Sequence, residues 1–306
     1  GFFMTLQKKA TVVATIVAGF LTIIKFAIGI ASGSVAVLAS AMDSILDMAV
    51  SIFNFFAISK SEQPADEHFN YGKGKIEALA SVIEGTIIAL SGAFLFKKKK
   101  KKYINGEQSK MLNTSMIVMA VSVVVTLALV TYLDYVAKKT DSMVVKADSL
   151  HYKTDVYTNI AVLISLFAVW FFKAEIIDVL IGGAISLFII YSAFGLISEG
   201  VMILLDKALD KELVIQIEDI LNNEKDLTSW HYLKTRQAGN DIFVDVHLVF
   251  NCLISLMEAH RIGDRVEMKI AKLDENKNWI INIHLDPYDD SIINSSTLGC
   301  NINKQE

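Results

Sequence analysis

The sequence predicts an α-helical membrane protein: six transmembrane helices, then a C-terminal α+β domain of the order helix, strand, strand, helix, strand. Three observations carry that reading. First, the 306-residue chain is 53% hydrophobic with a mean hydropathy of +0.45. Its apolar residues concentrate in the first two thirds, in runs of about the 20 residues that a helix needs to cross about 30 Å of hydrocarbon. Second, beyond about Asp206 the composition turns polar and the apolar spacing changes from helical to alternating. Third, only two prolines and 16 glycines interrupt the chain, which suits a mostly helical protein.

The six runs cover residues 11–30, 35–58, 76–96, 111–136, 144–172 and 176–205. Six crossings leave both termini on one side. Lys8 and Lys9, the second link with Lys60, Lys73 and Lys75, and the fourth link with Lys138, Lys139 and Lys146 share that side. The excess of positive charge assigns it to the cytoplasm. The lysine run 97–102 departs from this bias and reads as a solvated helix end. It has no interleaved aromatics and no basic fold around it, which excludes a nucleic-acid patch. The expected organisation is a transmembrane domain over 1–206, a cytoplasmic domain over 207–290, and a disordered tail over 291–306.

In the polar part, residues 213–221 have an amphipathic helical pattern and 230–236 read as a strand before the turn 238–241. Residues 242–250 alternate, with Val244, Val246, Leu248 and Phe250 on one face. Residues 255–273 form a helix with the stripe Ile262, Val266, Ile270 and Leu273. Residues 279–286 alternate again, Trp279, Ile281, Ile283 and Leu285 against Ile280, Asn282, His284 and Asp286. Helices on one face of a small sheet follow from that order. The two cysteines, Cys252 and Cys300, form no CxxC pair and suggest no disulfide framework. The first apolar run is too long for a cleavable signal.

Two pairs of metal-type ligands stand inside the apolar runs: Asp43 with Asp47 in the second, and His151 with Asp155 in the fifth. Positions i and i+4 share one helix face. Two such helices facing each other offer three carboxylates and one imidazole to one point, a donor set that suits tetrahedral Zn²⁺. A carboxylate at mid-bilayer costs about 2.5–3.5 kcal/mol on insertion scales, so such residues mark function. No HExxH motif accompanies them, which argues against a membrane metalloenzyme. A metal sensor would need only the tail, not paired ligands on two spans. Lys75 and Asp206, which open the third run and close the sixth, are expected to pair at the inner membrane surface and couple the tail to the helices.

The paired Asp-x-x-x-Asp and His-x-x-x-Asp motifs, the six-run layout and the tail order resemble the cation diffusion facilitator family. The phrases 233–239 (LKTRQAG) and 283–287 (IHLDP) strengthen the likeness, which spans about residues 8–287 and comes nearest to the bacterial zinc/iron efflux branch. The resemblance implies a homodimer in the bacterial inner membrane that exports divalent metal from the cytoplasm in exchange for protons, and no enzymatic activity. It implies Zn²⁺ as transported and structural ion, with Fe²⁺, Cd²⁺, Co²⁺ or Mn²⁺ as alternatives. Asp43, Asp47, His151 and Asp155 match the family's transport site. His231, His247, His260, His284 and Asp286 match its metal-binding positions in the cytoplasmic domain. The strand pattern independently turns His247, His284 and Asp286 away from that domain's core. The loop departs from the family pattern: Asp66 is present, but Phe69 and Lys73 stand where histidines are usual and His68 comes one position early. Asp66 and His68 make at most a weak loop metal site.

Overall fold

The computed structural model describes residues 4–33, 35–105, 113–172 and 176–289. It divides at Leu204/Leu205 into two compact units. The tail expected to be disordered lies outside the described residues.

Unit 1 contains α1 (Leu6–Ser32), α2 (Val35–Ser61), α3 (Lys75–Asn105), α4 (Asn113–Thr140), α5 (Met143–Phe172) and α6 (Ile176–Leu204). Five of them, α1, α2, α3, α4 and α6, are long and apolar enough to cross a membrane. The unit is a helical membrane domain with five candidate spans among the described residues. α5 is as long as the others, but its first half carries Lys146, Asp148, His151, Lys153 and Asp155.

The helix ends have local causes. α1 stops at Gly33, whose φ of 66° lets its N–H reach Ile30 O, the left-handed cap that glycine adopts without strain. α4 and α5 meet in a short turn at Asp141 and Ser142. The turn is tied down by Glu77 of α3: its buried carboxylate accepts from Ser142 Oγ at 2.6 Å and from Ser61 Oγ of α2 at 3.1 Å. α3 and α6 approach through glycines. A Cβ on Gly200 would lie 2.7 Å from Val82 Cγ2 and 3.1 Å from Ala78 O, and Gly85 and Gly92 are similarly filled by Ile197 and Ile190. Near the other end of this seam Lys99 Nζ meets Asp178 Oδ1 at 2.7 Å. The lysine run is therefore not solvated throughout. Lys97, Lys98, Lys100 and Lys101 are exposed, while Lys99 turns back into an ion pair.

Unit 2 contains α7 (Lys211–Asn222), β1 (Ser229–Ala238), β2 (Asp241–Val249), α8 (Leu256–Ala271) and β3 (Asn278–Asp286). The sheet order is β1-β2-β3. β1 pairs antiparallel with β2, and β2 pairs parallel with β3, so α8 is the crossover that a parallel pair requires. Val244, Val246 and Leu248 are wholly buried with Ile217, Ile262, Val266 and Ile270 beneath the helices, the face that alternation assigned to the core. Ser255 caps α8 by accepting from the Glu258 amide at 3.2 Å. Glu224, just after α7, receives Arg265 at 2.9 Å and Lys269 at 2.8 Å from α8. Burial pushes the Glu224 carboxyl up, but the Lys269 and Arg265 hydrogen bonds outweigh it and hold it below the ordinary value. Cys252 is disulfide-bonded, which nothing in the cysteine spacing suggested.

β1 is not a plain strand. Between His231 and Lys234 the register shifts, so that His231 faces His247 while Lys234 faces Asp245. Tyr232 takes a φ of 61° at this bulge. The extra residue re-aims the start of β1 and stacks the His231 ring against His247 at a 5.0 Å centroid distance.

Candidate metal centres

In unit 1, α2 and α5 bring Asp47, His151 and Asp155 together, with one ligand atom from each lying within 4.8 Å of the others. His151 Nε2 is 3.0 Å from Asp47 Oδ1. The i,i+4 spacing on α5 sets His151 and Asp155 on one face, as expected. Asp43 stands one turn earlier on α2, exposed and outside the group. The structure thus joins three of the four expected ligands.

One neighbour went unnoticed in the sequence. Lys25 of α1 is only 7% exposed. Its Nζ donates to Ser44 Oγ at 2.8 Å and reaches Ser40 O at 3.5 Å. Its charge acts on Asp47, Asp155 and Asp43. A single lysine in an apolar run reads as a rim residue that snorkels to water. The signal against that reading is its position, deep in a run whose neighbours on α2 carry the carboxylates.

In unit 2, His231, His247 and Asp286 form a second group on one side of the sheet. Asp286, 5% exposed, places Oδ2 at 3.0 Å from His247 Nδ1 and 3.6 Å from His231 Nε2, and Oδ1 at 2.9 Å from His284 Nε2. The pairing of His231 with His247 and of His247 with His284 lines the three imidazoles across three strands. His260 is elsewhere: it sits exposed on α8, 3.7 Å from Asp264.

In the loop, Asp66 is occupied by its own segment. Oδ1 accepts the amides of His68 at 2.9 Å and Phe69 at 2.8 Å, and Oδ2 pairs with Lys73 at 2.6 Å. The Lys73 hydrogen bond, with the Phe69 amide, holds the Asp66 carboxyl below its ordinary value. Among the described residues the loop contributes no group of three metal-type ligands. Lys75 Nζ donates to Leu204 O at 3.2 Å. Asp206, with φ 59°, lies 3.4 Å from Arg236.

Helices with buried carboxylates and an imidazole, joined to a histidine-lined α+β unit, define a membrane cation transporter. Comparison with known proteins agrees. Residues 11–205 match the cation efflux transmembrane domain, and residues 209–288 match the cytoplasmic domain of cation efflux proteins, a dimerisation domain. The chain belongs to the cation efflux, or cation diffusion facilitator, family. It is 36% identical over 282 residues to the cation-efflux pump FieF of Klebsiella pneumoniae, covering 92% of this chain and 93% of that one. Over 287 residues it is 37% identical to FieF of Yersinia enterocolitica, covering 93% and 94%. The solved structure of CzrB, presented as a zinc transporter, in its zinc form covers 27% of this chain and 92% of its own at 32% identity, with a TM-score of 0.25. The protein is thus a cation-efflux transporter and not an enzyme, and its second domain indicates dimerisation.

Proposed function

We propose that the protein is a homodimeric antiporter that exports divalent metal, Zn²⁺ foremost, from the bacterial cytoplasm in exchange for protons. The observation that carries this is the convergence of Asp47, His151 and Asp155 between α2 and α5. The full reading takes α5 as the sixth crossing, its polar half facing the other helices, and puts both termini in the cytoplasm.

The chemistry follows from the donors. Asp47 and Asp155 offer carboxylate oxygens and His151 a ring nitrogen, and Asp43 is one turn away to complete four-fold coordination as α2 turns. Three carboxylates around a dication leave a charge of about −1 in a low-dielectric setting. Lys25 brings the sum to about zero. Binding needs a neutral imidazole, so metal and proton compete for His151. With an unperturbed pKa of about 6.5, histidine exchanges its proton in the physiological range. A site that opens outward can therefore trade metal for protons. Fe²⁺ or Cd²⁺ would accept the same donors.

In unit 2 the donor set also suits Zn²⁺. Three imidazoles surround a buried carboxylate whose two oxygens both face them. His231, His247, His284 and Asp286 would hold a structural ion there and stiffen the sheet against a second copy. His260 would serve only as an outlying ligand. Lys75 and Asp206 are proposed to couple this domain to the helices.

The test is uptake of a panel of divalent ions by reconstituted protein under an imposed pH gradient. Zinc uptake that follows the gradient is expected. Zinc flux indifferent to the gradient, or none for any divalent ion, refutes the proposal.

A further inference from the structure

One residue of unit 2 is held in a conformation that its type resists. Among the described residues, three non-glycines have a positive φ: Asp141, Asp206 and Tyr232. Aspartate visits the left-handed region at little cost, whereas a bulky ring there is an outlier. Such strain persists only where the surroundings impose it, and it gathers at functional sites. The φ of 61° at Tyr232 falls between His231 and Lys234, at the register shift of β1.

The strand pairing shows what the strain achieves. Lys234 faces Asp245, and His231 faces His247. Along β1 these positions are three apart, from 231 to 234, but along β2 only two, from 245 to 247. An unbroken β1 would set Tyr232 opposite His247 and turn His231 to the other face, where Val246 and Leu248 are wholly buried. The extra residue brings His231 into that place instead.

Tyr232 still keeps its ring on the site. It lies 5.1 Å from the His247 ring, which also meets His231 at 5.0 Å and His284 at 4.6 Å. Asp286 holds the His247 ring at one atom, Nδ1, at 3.0 Å. A single hydrogen bond fixes a point and leaves the plane free to tilt about it; an aromatic face packed alongside removes that freedom. Tyr232 is 53% exposed, and the Lys234 ammonium, 4.2 Å from its centroid, holds the ring from the next residue but one.

We propose that Tyr232 is a positioning residue of the metal centre in unit 2: its strained backbone turns His231 into the ligand row, and its ring fixes the plane of His247. The inference rests on the reading of this group as a zinc site. The fold accepts a strained backbone at Tyr232 so that His231 and His247 stand ready before the ion arrives. Partners that orient a metal's ligands are worth about 10–100-fold in affinity.

The test uses the full chain with Asp47→Ala and Asp155→Ala throughout, so that tightly bound zinc reports unit 2. Zinc affinity is read by competition with a chromogenic chelator, and the metal-free unfolding midpoint by tryptophan fluorescence. Tyr232→Gly relieves the strain and keeps the bulge but loses the ring. Its metal-free midpoint should stay near the parental one while its zinc affinity falls about tenfold. Tyr232→Phe keeps the ring and should bind zinc as the parent does. Tyr232→Val loses the ring and also resists a positive φ, so it should bind more weakly than Tyr232→Gly. Parental affinity in Tyr232→Gly overturns the role of the ring, as does a Tyr232→Phe that binds as weakly as Tyr232→Gly. A Tyr232→Val no weaker than Tyr232→Gly overturns the role of the backbone. A metal-free midpoint that drops together with affinity in Tyr232→Gly marks a purely structural residue and overturns both. If the parent of this series binds no zinc, or loses none of it on Asp286→Asn, the metal site itself is wrong, and the role of Tyr232 goes with it.

Discussion

Replacing Asp286 by Asn tests the metal centre of unit 2 with the least change of shape. The side chain stays the same size at the end of β3 but loses its charge, and with it one of the four donors. Suppose zinc is present at 1,000 times its dissociation constant; binding then adds about 4.1 kcal/mol to the stability of the unit that holds it. Losing a donor should cost at least the hundredfold in affinity that disturbing a ligand's supporting partner can cost, which leaves zinc at no more than about ten times the new constant, where the gain is about 1.4 kcal/mol. The difference, about 2.7 kcal/mol, moves the midpoint of a domain of some 80 residues by roughly 10–20 °C. Two of the chain's three tryptophans, Trp230 and Trp279, lie in unit 2, so intrinsic fluorescence during heating reports its unfolding. The assay compares the zinc-induced rise in midpoint for the full-length parent and for Asp286→Asn, each against its own metal-free sample. This cancels whatever the substitution does to the metal-free fold. A variant that gains as many degrees from zinc as the parent refutes the site.

Asp47→Ala and Asp155→Ala should each abolish zinc transport and leave the dimer folded, since each removes one of three converging ligands; normal flux in either, measured in proteoliposomes, rules out the assignment. Lys75→Ala and Asp206→Ala should each slow transport, and the double variant should be no slower than the worse single one; additive losses mean that they do not act as a pair. Glu224 predicts an acid limb of stability. Its carboxyl is held below the ordinary value of 4.5 in the fold, so its contribution is complete above that pH and fades as pH drops through the lowered value. Its partners Arg265 and Lys269 are nearly half exposed, so the effect is under about 1 kcal/mol. Glu224→Gln should flatten that limb in a pH series of thermal unfolding, and an unchanged slope contradicts the pairing.

The ligand spacing was legible because helical and strand periods alone decide which side chains share a face. That is enough to align His151 with Asp155 on α5 and to turn His247 and His284 away from Val246 and Leu248. What escaped depends on contacts distant in sequence. Nothing near Tyr232 announces a bulge, yet the bulge is what sets His231 opposite His247. Asp43 has the right spacing, but the rotation of α2 about its axis decides whether it joins Asp47, and spacing within one helix does not fix that rotation. Lys25 and Lys99 read as stray charges until their partners, Ser44 and Asp178, are found on other helices.

The glycine seam of α3 and α6 has a mechanical consequence. Where Gly85, Gly92 and Gly200 let neighbouring side chains sink against the backbone, there is little compressible material between the two helices, and the Lys99–Asp178 pair pins the seam near one end. Two rods joined in this way bend and tilt as a single beam. Asp47, His151 and Asp155 belong to α2 and α5, outside that beam. On the antiport reading proposed above, a stroke that exposes the ligands first to one side and then to the other would move α2 and α5 against this seam, and a bulky side chain set into it, at Gly200 for example, would slow the stroke without touching a ligand.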